Sequence, residues 1–331
     1  MEVNRFMRKL SLIFIIALVL ALTVLQPAMA VEVIKCGHGH STSHPYQKCF
    51  EMFKELMEMR TDDYKVEIFP NNQLGNEAEM TEMTKMGTLQ AGIFGRFESM
   101  GKQLYTATLP FLFKDYEHVG RVFNGPIGDL LASFMEVNGL ELGGWVHSGF
   151  RQLTNNIRPI KSPADLKGLK MRTPPLENIL QTMQSFGASA TPIAYSELYM
   201  ALKTGVVDGQ ENPYVNIVSE KMYEVQKYCT EVNYIYMYGG MVFSLDWWNS
   251  LSPGDQEIIS VAAKVASMYT NYITEANAEN NKQKCIDEGM EIYEPTNAER
   301  QAFIDKVQPV YDFFIKNGSS TQMLIELIQN S

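Results

Sequence analysis

Between Val33 and Val146, short apolar runs alternate with amphipathic segments that open on good helix starts. No other feature constrains the fold as much. Val33–Gly37 reads as a buried strand, and Pro45 opens a helix carrying Phe50, Phe53, Leu56 and Met57 at helical spacing. Tyr64–Phe69 alternates as a second strand and stops at Pro70. Glu77–Met86 is helical, Ala91–Phe94 is a short strand, and Leu109–Phe113 is an apolar loop or strand. Helices over Tyr116–Asn124 and Pro126–Val137 lead to a strand at Leu140–Val146. Strands joined through helices pair in parallel with the helices on the sheet faces, so the pattern predicts an α/β fold with a mostly parallel sheet.

A second unit begins near Gly149. Ser162-Pro163-Ala164-Asp165 is a helix start, with serine as N-cap, proline in the first turn and a carboxylate three residues on. Leu169–Arg172 is a short strand halted by Thr173-Pro174-Pro175. Leu176–Phe186 is helical, Ala188–Pro192 a strand, and Ser196–Lys203 a helix ended by Gly205. Cys229–Tyr238 and Met241–Leu245 are strands returning toward the first unit. No Pro or Gly interrupts Asp255–Glu288, which predicts a helix about 50 Å long or two helices with a kink near Tyr272. The tail adds a strand at Glu291–Tyr293, a helix capped by Thr296 with Glu299, and a last helix from about Thr321. Repeated crossing without a flexible linker predicts a hinged two-lobed clamshell. Lobe one takes residues 31–148 with about 238–270, lobe two takes 149–237 with about 280–331, and the long helix at about 255–288 lies across both.

The first thirty residues belong to neither lobe. Arg5, Arg8 and Lys9 precede the apolar run Leu10–Leu25, and Pro27-Ala28-Met29-Ala30 supplies a small-x-small cleavage pattern. The run is short for a membrane anchor, so a signal peptide cleaved after Ala30 is expected, with export to the periplasm. No Cys stands directly after the cleavage point to carry a lipid. Of 28 basic and 38 acidic residues, three and one fall in this leader, which leaves 25 against 37, a net charge of −12. That balance argues against nucleic acid or anionic membrane as a partner, while a local basic cleft still attracts a small anion.

Motifs for catalysis are absent. There is no GxSxG, HExxH, phosphate-binding loop or complete GxGxxG, and no two carboxylates stand at a reactive spacing. Asp208-Gly209 reads as a turn, with Glu211 beyond it, and Glu197 as a helix first-turn residue. His38, His40 and His44 lie near Cys36, but a transition-metal site needs three or four converging ligands and no second cluster exists. His44-Pro45 reads as a helix entry, with His38 and His40 as loop residues facing the cleft; no metal and no cofactor is expected. An exported compartment permits Cys36–Cys49 and Cys229–Cys285 bridges, and the apolar setting of all four equally suits free buried thiols. Arg151 and Arg172 sit in apolar surroundings. The residues alone leave open a structural ion pair or a ligand grip for each. Arg172 ends a strand, where open α/β sheets bind ligands, and a guanidinium there grips a carboxylate through two donors. Arg96, just past the strand Ala91–Phe94, lies at the same kind of edge.

From Pro45 to about Glu257 the chain resembles the solute receptors of tripartite ATP-independent periplasmic (TRAP) transporters, the DctP family. The matching runs are His44-Pro45-Tyr46, FPNNQLGNE (69–77), LPFLF (109–113), GFRQLTN (149–155), PADLKGLKMR (163–172), AYSELYMALKTGVVDGQENP (194–213) and MYEVQKY (222–228). The resemblance implies two α/β lobes closing over a small organic acid, a sugar acid or a dicarboxylate, which separate small and large membrane subunits import. It makes Arg172 the main carboxylate anchor, Arg151 a second contact, Asn212 an amide donor to the same carboxylate and Tyr195 a pocket wall. Arg96 stands where that family commonly has small or acidic residues, and is expected to meet polar or anionic groups at the ligand's far end, as a dicarboxylate or a polyhydroxy acid would offer. The receptor is expected to be a monomer or weak dimer and no enzyme. A two-lobed secreted enzyme acting on an organic acid, or a periplasmic sensor subunit, is the alternative.

Overall fold

The structure, a computed structural model, describes Met7 and residues 31–331; the expected leader and its cleavage point lie outside the described residues. The described residues build ten strands: β1 (Glu32–Gly37), β2 (Tyr64–Phe69), β3 (Ala91–Phe94), β4 (Leu140–Asn155), β5 (Lys170–Thr173), β6 (Ser189–Pro192), β7 (Gly209–Pro213), β8 (Tyr228–Thr230), β9 (Tyr236–Ser244) and β10 (Glu291–Tyr293). The sheet order is β2-β1-β3-β9-β4-β7-β5-β6, with β8 joined to β4 and β10. β1, β2 and β3 pair in parallel, as do β5, β6 and β7, while β9 and β4 run antiparallel to their neighbours. This is the α/β architecture that the alternation predicts.

β4 holds the two halves together. Its first part, Leu140–Phe150, pairs with β9, and its second, Arg151–Asn155, pairs with β7. The expected strand ended at Val146; the real one runs nine residues further. Its extension carries Arg151, Gln152, Thr154 and Asn155, all buried, so internal hydrogen bonds rather than apolar side chains satisfy it. The register shifts between His147 and Gly149, and Gly149 takes φ +99°, a left-handed conformation that glycine adopts without strain. Gly209–Pro213, read as following a turn, is the strand β7.

Helix Pro45–Glu58 and helix Pro253–Ala276 cover one face of the first half-sheet, burying Phe50, Phe53, Met57, Ile259, Ala262 and Ala266 against Ile34, Val66 and Phe243. The long helix lies close because Gly144 faces it: a Cβ there would stand 2.5 Å from Ser267 Oγ. It stops at Ala276, and Ala278–Asp287 is a separate helix. The break falls at Asn277 (φ −98°, ψ 5°), whose side-chain Nδ2 and backbone amide both donate to Ile273 O. Leu109–Phe113 is not a strand but follows the 3₁₀ segment Lys102–Thr108. The tail spans both halves. Helix Gln308–Lys316 packs on helix Glu177–Ser185, whereas helix Gln322–Gln329 lies on the 102–108 segment, with His118 Nε2 2.6 Å from Ile328 O. Cys36, Cys49, Cys229 and Cys285 are all buried and free, so neither permitted bridge forms.

Gly209 starts β7 so close to β4 that a Cβ would sit 2.2 Å from Thr154 O and 2.8 Å from Met171 Sδ. Gly209→Ala should lower stability by about 2–4 kcal/mol, read as a lower urea midpoint at unchanged slope. Gly254→Ala, in the first turn of the long helix with only Ser252 Oγ near its Cβ at 3.8 Å, is the control and should leave the midpoint unchanged or raise it slightly.

Candidate functional site

Arg172 stands near the end of β5, fully buried at 0 % exposure. Its Nε donates to Ile193 O at 2.9 Å, but Nη1 and Nη2, both buried, have no partner in the protein. Burial, reinforced by the charge of Arg151 and partly offset by Glu211, holds the guanidinium down at about 10. It is therefore still a cation at neutral pH, with two donors unfilled.

Arg151, on β4, is differently placed. The antiparallel register sets Gln152 opposite Asn212 and Leu153 opposite Glu211, which brings the Arg151 side chain onto the Glu211 carboxylate. Nε pairs with Glu211 Oε2, and Nη2 donates to Oε1 at 2.8 Å and to the Glu211 carbonyl at 2.8 Å. Tyr234 OH adds a bond of 2.5 Å to Oε2. Burial alone would pull this guanidinium down; Glu211 and Tyr234 more than reverse that and leave it above the usual arginine range. Arg151 lines the cavity, but most of its hydrogen-bonding capacity belongs to the protein. Glu211 escaped the sequence reading as a functional residue, because only the pairing of β4 with β7 reveals its role.

Both arginines border a cavity of about 310 Å³ between the two halves. Asn212 and Tyr195 join them on the lobe-two wall, so four of the expected site residues converge. Asn212 Oδ1 accepts from Arg151 Nη2 at 3.3 Å and from Asn216 Nδ2 at 3.0 Å, which orients the amide. The Tyr195 hydroxyl is buried without a partner, and its ring lies 6.0 Å from the Arg172 guanidinium. Arg96 lies on the opposite wall, donating through Nη1 to Pro175 O at 3.2 Å and through Nη2 to Glu98, with its buried Nε unpartnered.

His38 does not reach the wall. It is buried, with Nε2 3.1 Å from Gln47 Oε1, while His40 lines the cavity with an unpartnered Nδ1. The loop after β1 has left strand geometry, so alternation cannot tell which histidine faces inward. Among the described residues no group of three or more His, Cys, Asp or Glu side chains is arranged to hold a metal. The sequence reading also missed Asn72, Asn76 and Glu77 on the lobe-one wall, although all three lie within the run FPNNQLGNE that follows the carboxyl end of β2. Glu77 Oε1 accepts from the Gly95 amide at 2.5 Å; burial pushes its carboxyl up, and that bond with the charge of Arg96 partly offsets the rise.

A family model described as bacterial extracellular solute-binding protein, family 7 (DctP), matches residues 36–317. The C4-dicarboxylate-binding periplasmic protein DctP of Rhodobacter capsulatus is 35% identical over 302 residues, 89% of this chain and 90% of the relative. Among solved structures, a TRAP periplasmic solute-binding protein from Shewanella oneidensis with bound succinate has a TM-score of 0.87 at 31% identity, covering 91% of this chain and 99% of that one. A TRAP periplasmic solute-binding protein from Polaromonas bound to D-erythronate has a TM-score of 0.85 at 32% identity, covering 90% and 98%.

Removing one member of the buried pair leaves the other charge unpaired. Glu211→Gln should therefore destabilise the protein by about 3–5 kcal/mol in urea unfolding. A loss below about 1 kcal/mol would mean that Arg151 finds its stabilisation elsewhere.

Proposed function

The chain belongs to family 7 of bacterial extracellular solute-binding proteins, the periplasmic receptors that serve TRAP transporters, and on that premise we propose that it captures a small polyhydroxy carboxylate. As in that family, its task is transport and not catalysis: it binds a small carboxylate and works with a TRAP permease. The observation that carries the ligand reading is Arg172, a buried cation whose two outer nitrogens have no protein partner. A ligand carboxylate accepts from both, with the Asn212 amide donating beside them and the Tyr195 hydroxyl within the same wall. Hydrogen bonds to charged groups contribute about 1.5–3 kcal/mol each, so three of them bring micromolar binding within reach.

The far wall supports the hydroxyl part of the proposal. Glu77, Asn72 and Asn76 offer acceptors and amides there, and Arg96 already spends charge on Glu98. Its unpartnered Nε donates to a ligand oxygen in this reading, and Arg151 acts mainly by holding Asn212 and Glu211 in place. Lobe closure brings the two walls together around the ligand. Cleavage after Ala30 would release the receptor to the periplasm as a monomer or weak dimer, there to meet the small and large permease subunits.

Arg172→Lys keeps the charge but loses the planar fork, and should weaken binding by about 1.5–3 kcal/mol, roughly ten- to a hundredfold in Kd, by calorimetry. Unchanged affinity would remove Arg172 from the anchor role. D-Erythronate and succinate share a four-carbon chain but differ in hydroxyls against a second carboxylate. Wild type should prefer D-erythronate by about tenfold or more. The reverse order would give the far end, and Arg96, to a second carboxylate.

A further inference from the structure

A hydrogen-bonded path crosses the cleft from the loop after β1 to the amide of Asn212. His44 caps the Pro45–Glu58 helix, its Nδ1 accepting from the Tyr46 amide at 3.2 Å. The ring must therefore carry its proton on Nε2, which lies 3.2 Å from Asn216 Oδ1. Asn216 Nδ2 donates onward to Asn212 Oδ1 at 3.0 Å, and Arg151 Nη2 shares that oxygen. With Oδ1 so occupied, the Asn212 NH₂ group is fixed, one hydrogen going to Gln210 Oε1 at 2.5 Å and the other left for the cavity. Each donor and acceptor is forced by the next, so the path has a single sense. It also bridges the lobes: Ser41, three residues before His44, donates from its amide to Glu220 Oε1 at 3.1 Å and from its hydroxyl to Ser219 O at 3.2 Å.

We propose that His44 and Asn216 are positioning residues for ligand capture: closure completes the path, and the path aims the Asn212 amide at the ligand's carboxylate. The proposal rests on the carboxylate reading above. Both residues act through Asn212.

The path carries a proton dependence. A protonated His44 bears hydrogen on both nitrogens, so it can no longer accept from Tyr46 and the cap is lost, while Nε2–H still donates to Asn216 Oδ1. Burial, against a weaker opposing effect of the Asn216 bond, pushes His44 down to about 3, whereas a free histidine titrates near about 6.5. Provided opening returns the ring to water, the closed form excludes a proton that the open form takes up. Closure is fully favoured above about pH 6.5 and weakens as pH falls toward 3. The titratable and charged groups around the loop are His38, His40, Tyr46, Arg151, Tyr195 and Glu220. Glu220 accepts from Ser41 and Arg151 is engaged by Glu211; among the described residues no carboxylate bonds to His44. His38 and His40 are also held neutral by burial, so the informative quantity is the difference between wild type and a His44 variant.

The test titrates D-erythronate and succinate into wild type, His44→Asn, Asn216→Ala and the double variant at pH 8 and pH 5.5. Interlobe distances are measured in parallel from spin labels on Lys54→Cys and Lys203→Cys. Asparagine at 44 keeps an acceptor for the helix cap but is too short to reach Asn216. Each single variant should bind about five- to tenfold more weakly at pH 8, and the double variant no worse than either. The affinity lost between pH 8 and pH 5.5 should be about tenfold larger in wild type than in His44→Asn. Unchanged affinity in the singles, additive losses, or an equal pH response overturns the relay. If wild type binds neither acid, the ligand reading fails separately, and the ligand-free distances decide the relay. The closed fraction must then fall more steeply with pH in wild type than in His44→Asn, and equal behaviour overturns it.

Discussion

Keeping a guanidinium out of water without a counter-charge is the constraint to which the rest of this structure answers. Two arginines lie buried within one wall of the cleft, and the protein treats them in opposite ways. Arg151 is neutralised by Glu211 and held by Tyr234. Arg172 receives one carbonyl on Nε and nothing on its outer nitrogens. An unpaired buried charge is costly. In the proposed reading a ligand anion offsets that cost, and the fixed Arg151–Glu211 pair leaves Arg172 as the point where it acts.

β4 determines how that point is presented. It is shared by the two half-sheets, so the lobes meet through a continuous backbone rather than a linker. Arg151 leaves β4 just after Gly149, and β7 brings Glu211 and Asn212 alongside. The ends of β3 and β5 supply Arg96 and Arg172 from opposite sides. In one half-sheet β3 runs antiparallel to β9, and in the other β5 runs with β7 and so antiparallel to β4, which turns the carboxyl ends of both parallel sets toward the cleft.

Much of this was legible in the sequence where local chemistry was sufficient. Arg172 was readable because a short apolar strand stops at Pro174-Pro175, and the capping box at Ser162 and Asp165 formed as its spacing predicts. The extension of β4 was not, since its buried polar residues are satisfied only by partners distant in the chain: Arg151 by Glu211, Thr154 by Gln210 and Gln226. His38 and His40 were indistinguishable for a different reason, as period-two alternation ends where β1 ends. The helix break at Asn277 had no Pro or Gly to mark it; a side-chain amide sharing a carbonyl with its own backbone amide is a weak signal among several asparagines.

The four buried thiols have a consequence for how this protein is made. None is bridged, and burial pushes every one of them above the usual thiol range, so none presents a thiolate to an oxidant. Reaching the native state then requires no oxidase, isomerase or particular redox poise. The same polypeptide should mature equally well in an oxygen-free and an aerated environment, and in a reducing cytosol during heterologous production. Its native sulfur chemistry stays silent while it is folded, and any thiol reactivity that emerges reports unfolding.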